Sequence, residues 1–234
     1  MSHHALVTGS SRGIGLAIAR AIARSGGSVM ITGRDASGVD EAVQSLQGAG
    51  GQVAGTVMDV TDPAAVAGAV RAAERAFGTL DVVVNNAGIG HYGDIATFSD
   101  EHWRAVLDTN VTGPFNVMRA AIPALRRAGG GWIINIASLA GAHPFAGGGA
   151  YCASKAALIA LSESAMQELR GDDIRVSVVL PGSVATRFSG RSAGDDSWKL
   201  SPDDVAEAVM GLLRHPARSL PSRIEIRPAR PKKG

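Results

Sequence analysis

The stretch "ALVTGSSRGIGLAIA", residues Ala5–Ala19, decides the fold. A short apolar run breaks at Gly9, Gly13 and Gly15, then resumes with helical spacing. Glycine weakens helices and strands alike, so three so close together mark a place where something must approach the backbone. A strand before the glycines and a helix after them is the context of a dinucleotide-binding loop. There Gly9 allows the tight turn, Gly13 lets the backbone approach a pyrophosphate, and Gly15 lets helix and sheet pack closely. The helix N-terminus adds amide donors and partial positive charge. The spacing is G-x-x-x-G-x-G rather than G-x-G-x-x-G, and a β–α turn without any ligand is also compatible with it.

Working outward, strand and helix patterns alternate. Apolar, β-rich runs lie at Ala5–Val7, Ser28–Thr32, Gln52–Val57, Leu80–Val84, Trp132–Ala137, Arg175–Leu180 and Ser222–Ile226. Ala-rich segments with helical spacing lie between them, as at Ile14–Arg24, Ala64–Ala76 and Ala150–Leu169. The runs "LDVVVN" and "WIINIA" are continuously apolar, as strands covered on both faces are. The alternation predicts an α/β fold: one Rossmann domain over residues 1–234, with a doubly wound, seven-stranded parallel sheet and helices on both faces. The polar stretch Ser189–Trp198 is expected to be a lid over a site.

Composition narrows the function classes. The 234 residues are 45% hydrophobic and carry a net charge of +2. Arg223, Arg227, Arg230, Lys232 and Lys233 gather near the C-terminus without interleaved aromatics, which predicts a solvated tail and no nucleic-acid partner. Cys152 is the one cysteine, so no intramolecular disulfide forms, and a cytoplasmic setting is expected. No signal peptide and no membrane partner are expected, because the chain enters its first strand at once and no apolar run is long enough to span a bilayer. The histidines, His3, His4, His91, His102, His143 and His215, lack ligand-like spacing, and no metal is expected.

The second strand sharpens the cofactor. An acid about 20 residues beyond the loop binds the ribose 2′-hydroxyl in such sites. Here "VMITGRD" puts Gly33 at that place and Arg34 after it. Arg34 and Arg12 would grip a 2′-phosphate through charge-assisted hydrogen bonds, which predicts NADP(H) over NAD(H). Asp35 comes one residue late and is expected to point into the loop.

"YCASK" places Tyr151 and Lys155 four residues apart, on one face of a helix. A cationic lysine nearby would lower the phenol pKa from its ordinary ~10 and let it exchange a proton with a carbonyl or alcohol oxygen. Ser138 in "NIASLAG" and "NNAG" (Asn85 to Gly88) end strands at the ligand-binding edge, Asn110 lies in a long helical segment, and "LPGSVATRF" follows the sixth strand. In this order, T-G-x-x-x-G-x-G, N-N-A-G, Asn, Ser, Y-x-x-x-K and P-G resemble the short-chain dehydrogenase/reductase family over essentially the whole chain.

The resemblance implies a catalytic set of Asn110, Ser138, Tyr151 and Lys155. Tyr151 would be the acid/base, Lys155 would tune it and hold the nicotinamide ribose, Ser138 would polarise the substrate oxygen, and Asn110 would hold a relay water. It implies cofactor contacts from Ser11, Arg12, Gly13 and Ile14, from Asp59 and Val60 at the adenine, and from Asn85, Ala87 and Gly88. Pro181, Gly182, Val184 and Thr186 would flank the nicotinamide. The activity implied is NADP(H)-dependent interconversion of a carbonyl and a secondary alcohol on a small-molecule substrate. A 3-oxoacyl thioester reductase and a non-catalytic NADP(H)-binding sensor are the alternatives. The ending "SRIEIRPARPKKG" departs from the DGG segment common in the family, which weighs against simple fatty-acid ketoacyl reduction. His91, Tyr92, His143, Phe145, Phe188 and Trp198 lie near the expected pocket mouth, and Cys152 is expected to pack within its helix. The helical segments around Val106–Arg127 and Ala150–Leu169 are apolar on more than one face, which predicts a homodimer or homotetramer.

Overall fold

A computed structural model of the chain describes residues 2–186, 188 and 196–230. The elements follow in the order β1 (His4–Val7), α1 (Gly13–Arg24), β2 (Ser28–Gly33), α2 (Ala36–Ser45), β3 (Val53–Val57), α3 (Pro63–Phe77) and β4 (Val82–Asn85). The second half runs α4 (Asp100–Leu107), α5 (Gly113–Arg127), β5 (Gly131–Ile136), α6 (Gly149–Leu169), β6 (Ile174–Pro181), α7 (Pro202–Leu213) and β7 (Arg223–Ile226). The strands form one seven-stranded sheet in the order β3-β2-β1-β4-β5-β6-β7, with every pair parallel.

Alternation along each strand builds two cores. Ala5 and Val7 of β1 join Val82 and Val84 of β4 on the face covered by α1, α2 and α7. Leu6 and Val83 point the other way, with Ile133 of β5, into the layer of α3, α5 and α6. Both faces are apolar because both are covered, so these strands read as unbroken hydrophobic runs. Chain order reverses between β1 and β4, and that switch point opens a crevice at the carboxyl ends of the strands.

Local chemistry sets the helix ends. Asp62 caps α3 through the Ala64 N–H, Pro63 takes the first helical position, and Gly78 at φ +80° ends the helix. The expected helix over Val106–Arg127 is interrupted. α4 stops at Leu107, Asp108–Thr112 makes a π turn in which the Gly113 N–H reaches the Asp108 carbonyl, and α5 begins at Gly113. Pro114 has no N–H to give the Asn110 carbonyl, so the i→i+4 ladder cannot run through unbroken.

The C-terminal cations are not all a solvated tail. Arg223 lies in β7, and Glu225 binds both Arg223 and Arg227 at 2.8 Å. Arg230 is exposed, whereas Lys232 and Lys233 lie outside the described residues. Residues 189–195 of the expected lid also lie outside them. Among the described residues no helix is long and apolar enough to cross a membrane.

Candidate active site

The glycine loop joins β1 to α1 and is tied to its neighbours. The Ser10 hydroxyl donates to the Val7 carbonyl at 2.7 Å and accepts the Thr32 N–H at 2.9 Å. Thr8 Oγ1 accepts the N–H groups of Asn86 and Ala87 at 3.0 and 2.9 Å. Asn86 Nδ2 in turn donates to the carbonyls of Thr8 and Gly9. Gly9 holds φ +60°, and a Cβ there would lie 2.9 Å from Ala87 Cα. A Cβ on Gly15 would lie 2.6 Å from the Gly9 carbonyl, so Gly15 closes the helix onto the loop. Gly13 is also left-handed, at φ +59°, and α1 starts at Arg12 without a side-chain cap. Its first amides are thus left for a ligand.

A cleft of about 1290 Å³ runs over this loop along the carboxyl ends of the strands. Arg34, Asp59 and Val60 line the end beyond β2 and β3, Ser11, Arg12, Gly13, Ile14, Ala87 and Gly88 line the stretch after β1 and β4, and Thr186 lies against Gly13. Ser138, Tyr151, Lys155, Pro181, Gly182 and Val184 line the end beyond β5 and β6. Arg12 and Arg34 are exposed, and neither guanidinium has a partner among the described residues. A Cβ on Gly33 would press on Ser11 Oγ and Val39 Cγ2, both at 3.2 Å, so glycine lets the loop approach β2 closely. Asp35 caps α2 from the cleft wall. The Gly38 N–H and then the Ser37 hydroxyl hold its carboxyl below the usual carboxylate range. Asp59 Oδ1 accepts from the N–H and hydroxyl of Thr61.

At the other end Ser138, Tyr151 and Lys155 converge. Ser138 caps the short 3₁₀ turn Leu139–Gly141, which packs so closely on α6 that a Cβ on Gly141 would lie 2.7 Å from the Lys155 carbonyl carbon. The hydroxyl of Ser138 lies close enough to the Tyr151 phenol to act on its ionisation. Lys155 is buried, and its Nζ donates to the Ile136 carbonyl at 2.9 Å. The Tyr151 ring lies between Tyr92 and Phe188, with centroids at 5.7 and 5.8 Å.

The expected lowering of the Tyr151 pKa is corrected by this geometry. Burial pushes the phenol well above the ordinary tyrosine range, and the nearby Ser138 hydroxyl offsets only part of the rise. Burial also brings the Lys155 ammonium down to about 8, so the cation meant to stabilise phenolate is itself desolvated.

Three expected site residues lie behind the cleft wall. Gly15 packs under the loop. Asn85 is buried and donates to Asn135 Oδ1, which belongs to a chain running on to Ser162 of α6. Its neighbour Asn86 lines the cleft instead. Asn110 is fully buried in the π turn, where Nδ2 donates to the Ile89 carbonyl and to Ser154 Oγ, and Oδ1 accepts the Ile89 N–H. Ser154 donates to the Tyr151 carbonyl, so the Asn110 side chain clamps the loop after β4 to the helix that carries Tyr151. Both amide hydrogens are used in that clamp, so a relay water at Asn110 would meet an acceptor oxygen rather than the side-chain N–H. Of the mouth residues, Tyr92, His143, Phe145, Phe188 and Trp198 line the cleft, while His91 stacks on His102 away from it. Cys152 is buried within α6, beside Gly148. The Thr8 hydroxyl, Asn86 and Arg227 join the expected set; T-G and N-N-A-G are the local signals for the first two, and Arg227 has none.

Comparison with known proteins points the same way. Residues 3–196 match the family described as short chain dehydrogenase. An uncharacterized oxidoreductase of Staphylococcus saprophyticus is 35% identical over 96% of both chains. An alcohol dehydrogenase from the archaeon Thermococcus sibiricus, solved in complex with 5-hydroxy-NADP, superposes with a TM-score of 0.90 at 32% identity over 98% of each chain. A metagenomic short-chain oxidoreductase in complex with NADP gives a TM-score of 0.85 at 37% identity, also over 98% of each chain. With this sheet order, this glycine loop and this Ser–Tyr–Lys grouping, the chain belongs to the short-chain dehydrogenase family of oxidoreductases.

Proposed function

We propose that the protein is an NADP(H)-dependent oxidoreductase that interconverts a carbonyl and a secondary alcohol, with Tyr151 as general acid/base. The convergence of Ser138, Tyr151 and buried Lys155 in one cleft with the glycine loop carries this reading. The open amides at the start of α1 suit a pyrophosphate, and the unpartnered guanidiniums of Arg12 and Arg34 suit a 2′-phosphate. Asp59 and Val60 would contact the adenine, Ala87 and Gly88 the middle of the cofactor, and Pro181, Gly182, Val184 and Thr186 the nicotinamide end; all of them line the cleft. The two similar structures in complex with NADP and 5-hydroxy-NADP support that cofactor.

A bound reduced nicotinamide supplies the hydride to the carbonyl carbon. Ser138 and Tyr151 hold the carbonyl oxygen between two hydroxyls, and Tyr151 delivers its proton to that oxygen as negative charge develops there. The raised phenol pKa keeps this proton in place at neutral pH. Lys155 uses one N–H on the Ile136 carbonyl, and its remaining donors serve the ribose. Asn110 positions the helix of Tyr151 through Ser154 and Ile89, beside the relay-water role proposed for it. The test is NADPH consumption over a panel of ketones, followed by single-turnover reduction of the best one. Tyr151→Phe should lose about 10²–10⁴-fold in rate while binding NADPH as the wild type does. Hydride transfer at the wild-type rate in that variant would overturn the assignment.

A further inference from the structure

The charged side chains of the cleft divide by position. Its acids, Asp35, Glu41 and Asp59, all lie at the β2–β3 end. Around Ser138 and Tyr151 the lining groups are His143, Lys155, Lys199 and Arg227, with no carboxylate among the described residues. Lys155 is buried on the Ile136 carbonyl, and Lys199 is paired with Asp196. Arg227 and His143 remain.

Strand pairing brings Arg227 to this place. Pro181 pairs with Ile226, and the Gly182 N–H donates to the Ile226 carbonyl at 2.8 Å, so Arg227 follows directly beside Gly182. Ser138 Oγ lies 3.5 Å from the Pro181 carbonyl on the neighbouring strand end. His143 arrives from the other side, its N–H on the carbonyl of Leu139 at 2.7 Å. The side chains meet with Arg227 Nη2 3.0 Å from His143 Nε2. A guanidinium only donates, so Nε2 accepts. The same Nη2 donates to Glu225, which also accepts from Arg223. Two guanidiniums share one carboxylate, and positive charge is left over. Nε and Nη1 of Arg227 have no acceptor among the described residues. The adjoining wall is aromatic, with Tyr92, Phe145 and Phe188 packed around Tyr151.

We propose that Arg227, held in place by His143 and Glu225, binds a carboxylate on the substrate, and that the substrate is therefore an oxo acid (in the reverse direction, a hydroxy acid). The inference rests on the reductase reading above and names its substrate class. A planar fork of donors matches a carboxylate, and the aromatic wall takes the apolar body that separates it from the carbonyl.

The probes are benzoylformate and benzoylpropionate, each against its methyl ester. Two quantities are measured: kcat/KM for reduction by NADPH, and calorimetric affinity for the protein loaded with NADP⁺, where no ketone turns over. The free acids should exceed their esters by about tenfold or more in both, the usual worth of a charge-assisted hydrogen bond at a partly exposed site. In Arg227→Gln the ratio should fall to near one, and Arg227→Lys should retain part of it. Parity of acid and ester in the wild type, no binding of either acid, or an acid preference that survives in Arg227→Gln would each overturn the carboxylate site. Reduction of the esters without acid preference leaves the reductase reading standing. Arg227-dependent binding of the acids without reduction supports the anion site and counts against the reductase.

Discussion

The Nζ of Lys155 lies 5.9 Å from the centroid of the Tyr151 ring and donates to the Ile136 carbonyl. Helical spacing brought the two together, but burial governs both. The phenol is driven toward its neutral form, and so is the ammonium, by loss of water. Both shifts favour a protonated phenol, as the proposed role of Tyr151 as proton donor requires.

Direct titration tests this. The chain has two tyrosines, Tyr92 and Tyr151, and burial raises both pKa values. The tyrosinate absorbance of the cofactor-free protein should stay flat until the pH passes ~10, the ordinary tyrosine value. A band that grows in below that pH and is missing from Tyr151→Phe would show that the Lys155 cation outweighs desolvation.

Lys155→Met should stabilise the fold at neutral pH while damaging turnover. The folded-state pKa of Lys155, about 8, lies below its ordinary 10.5, so from about 8 upward the unfolded chain binds more protons. Wild-type stability contributed by this group then rises with pH through that window, and the cost of the buried cation is fully present below it. Met removes that cost but leaves the Ile136 carbonyl without its donor, so the net gain at pH 7 should be about 1 kcal/mol, or ~2–4 °C in Tm. The gap should close toward pH 10. Thermal denaturation of both proteins at pH 7 and pH 10 checks it, and an unstable variant at pH 7 would contradict it.

Arg34→Asp should weaken NADPH by about 10–100-fold and leave NADH affinity within a few-fold, because the proposed partner of that guanidinium is the 2′-phosphate alone. Gly33 packs against Ser11, so the substitution belongs at Arg34 rather than at Gly33, where a side chain would disturb the loop. Equal losses for both cofactors would remove Arg34 from the 2′-phosphate site.

A homodimer or homotetramer is expected in solution. Trp103 of α4 and Phe115 of α5 are 40% and 43% exposed, large apolar rings on successive helices. Burial of such rings against a second copy is the usual driving force for association. Light scattering at micromolar concentration should show at least twice the chain mass, and Phe115→Glu should shift it toward monomer. A monomeric wild type would refute the expectation.

How far the site could be read from the chain depended on the kind of signal. Gly9 and Gly13 of the loop, Ser138, and the pair Tyr151 and Lys155 stand out as local patterns, and the structure brings them to one cleft. The break of the helix at Asp108–Thr112 was not legible in apolar periodicity, although Pro114 carried a local sign of it.

Seven strands, their parallel order class and the helices between them followed from the sequence alone, because apolar alternation and glycine punctuation act over a few residues. Tertiary structure alone decided which of two adjacent asparagines faces the cleft. Asn85, still in β4, points into the layer beneath α6 beside Asn135, and Asn86, one residue on, points to the loop. It alone also turned Arg227 from a tail cation into a cleft residue, through the pairing of β7 with β6 and contact with a histidine 84 positions away. The direction of the Tyr151 and Lys155 shifts belongs to the same class. Charge proximity can be read from a four-residue spacing, whereas desolvation depends on everything that packs around the pair.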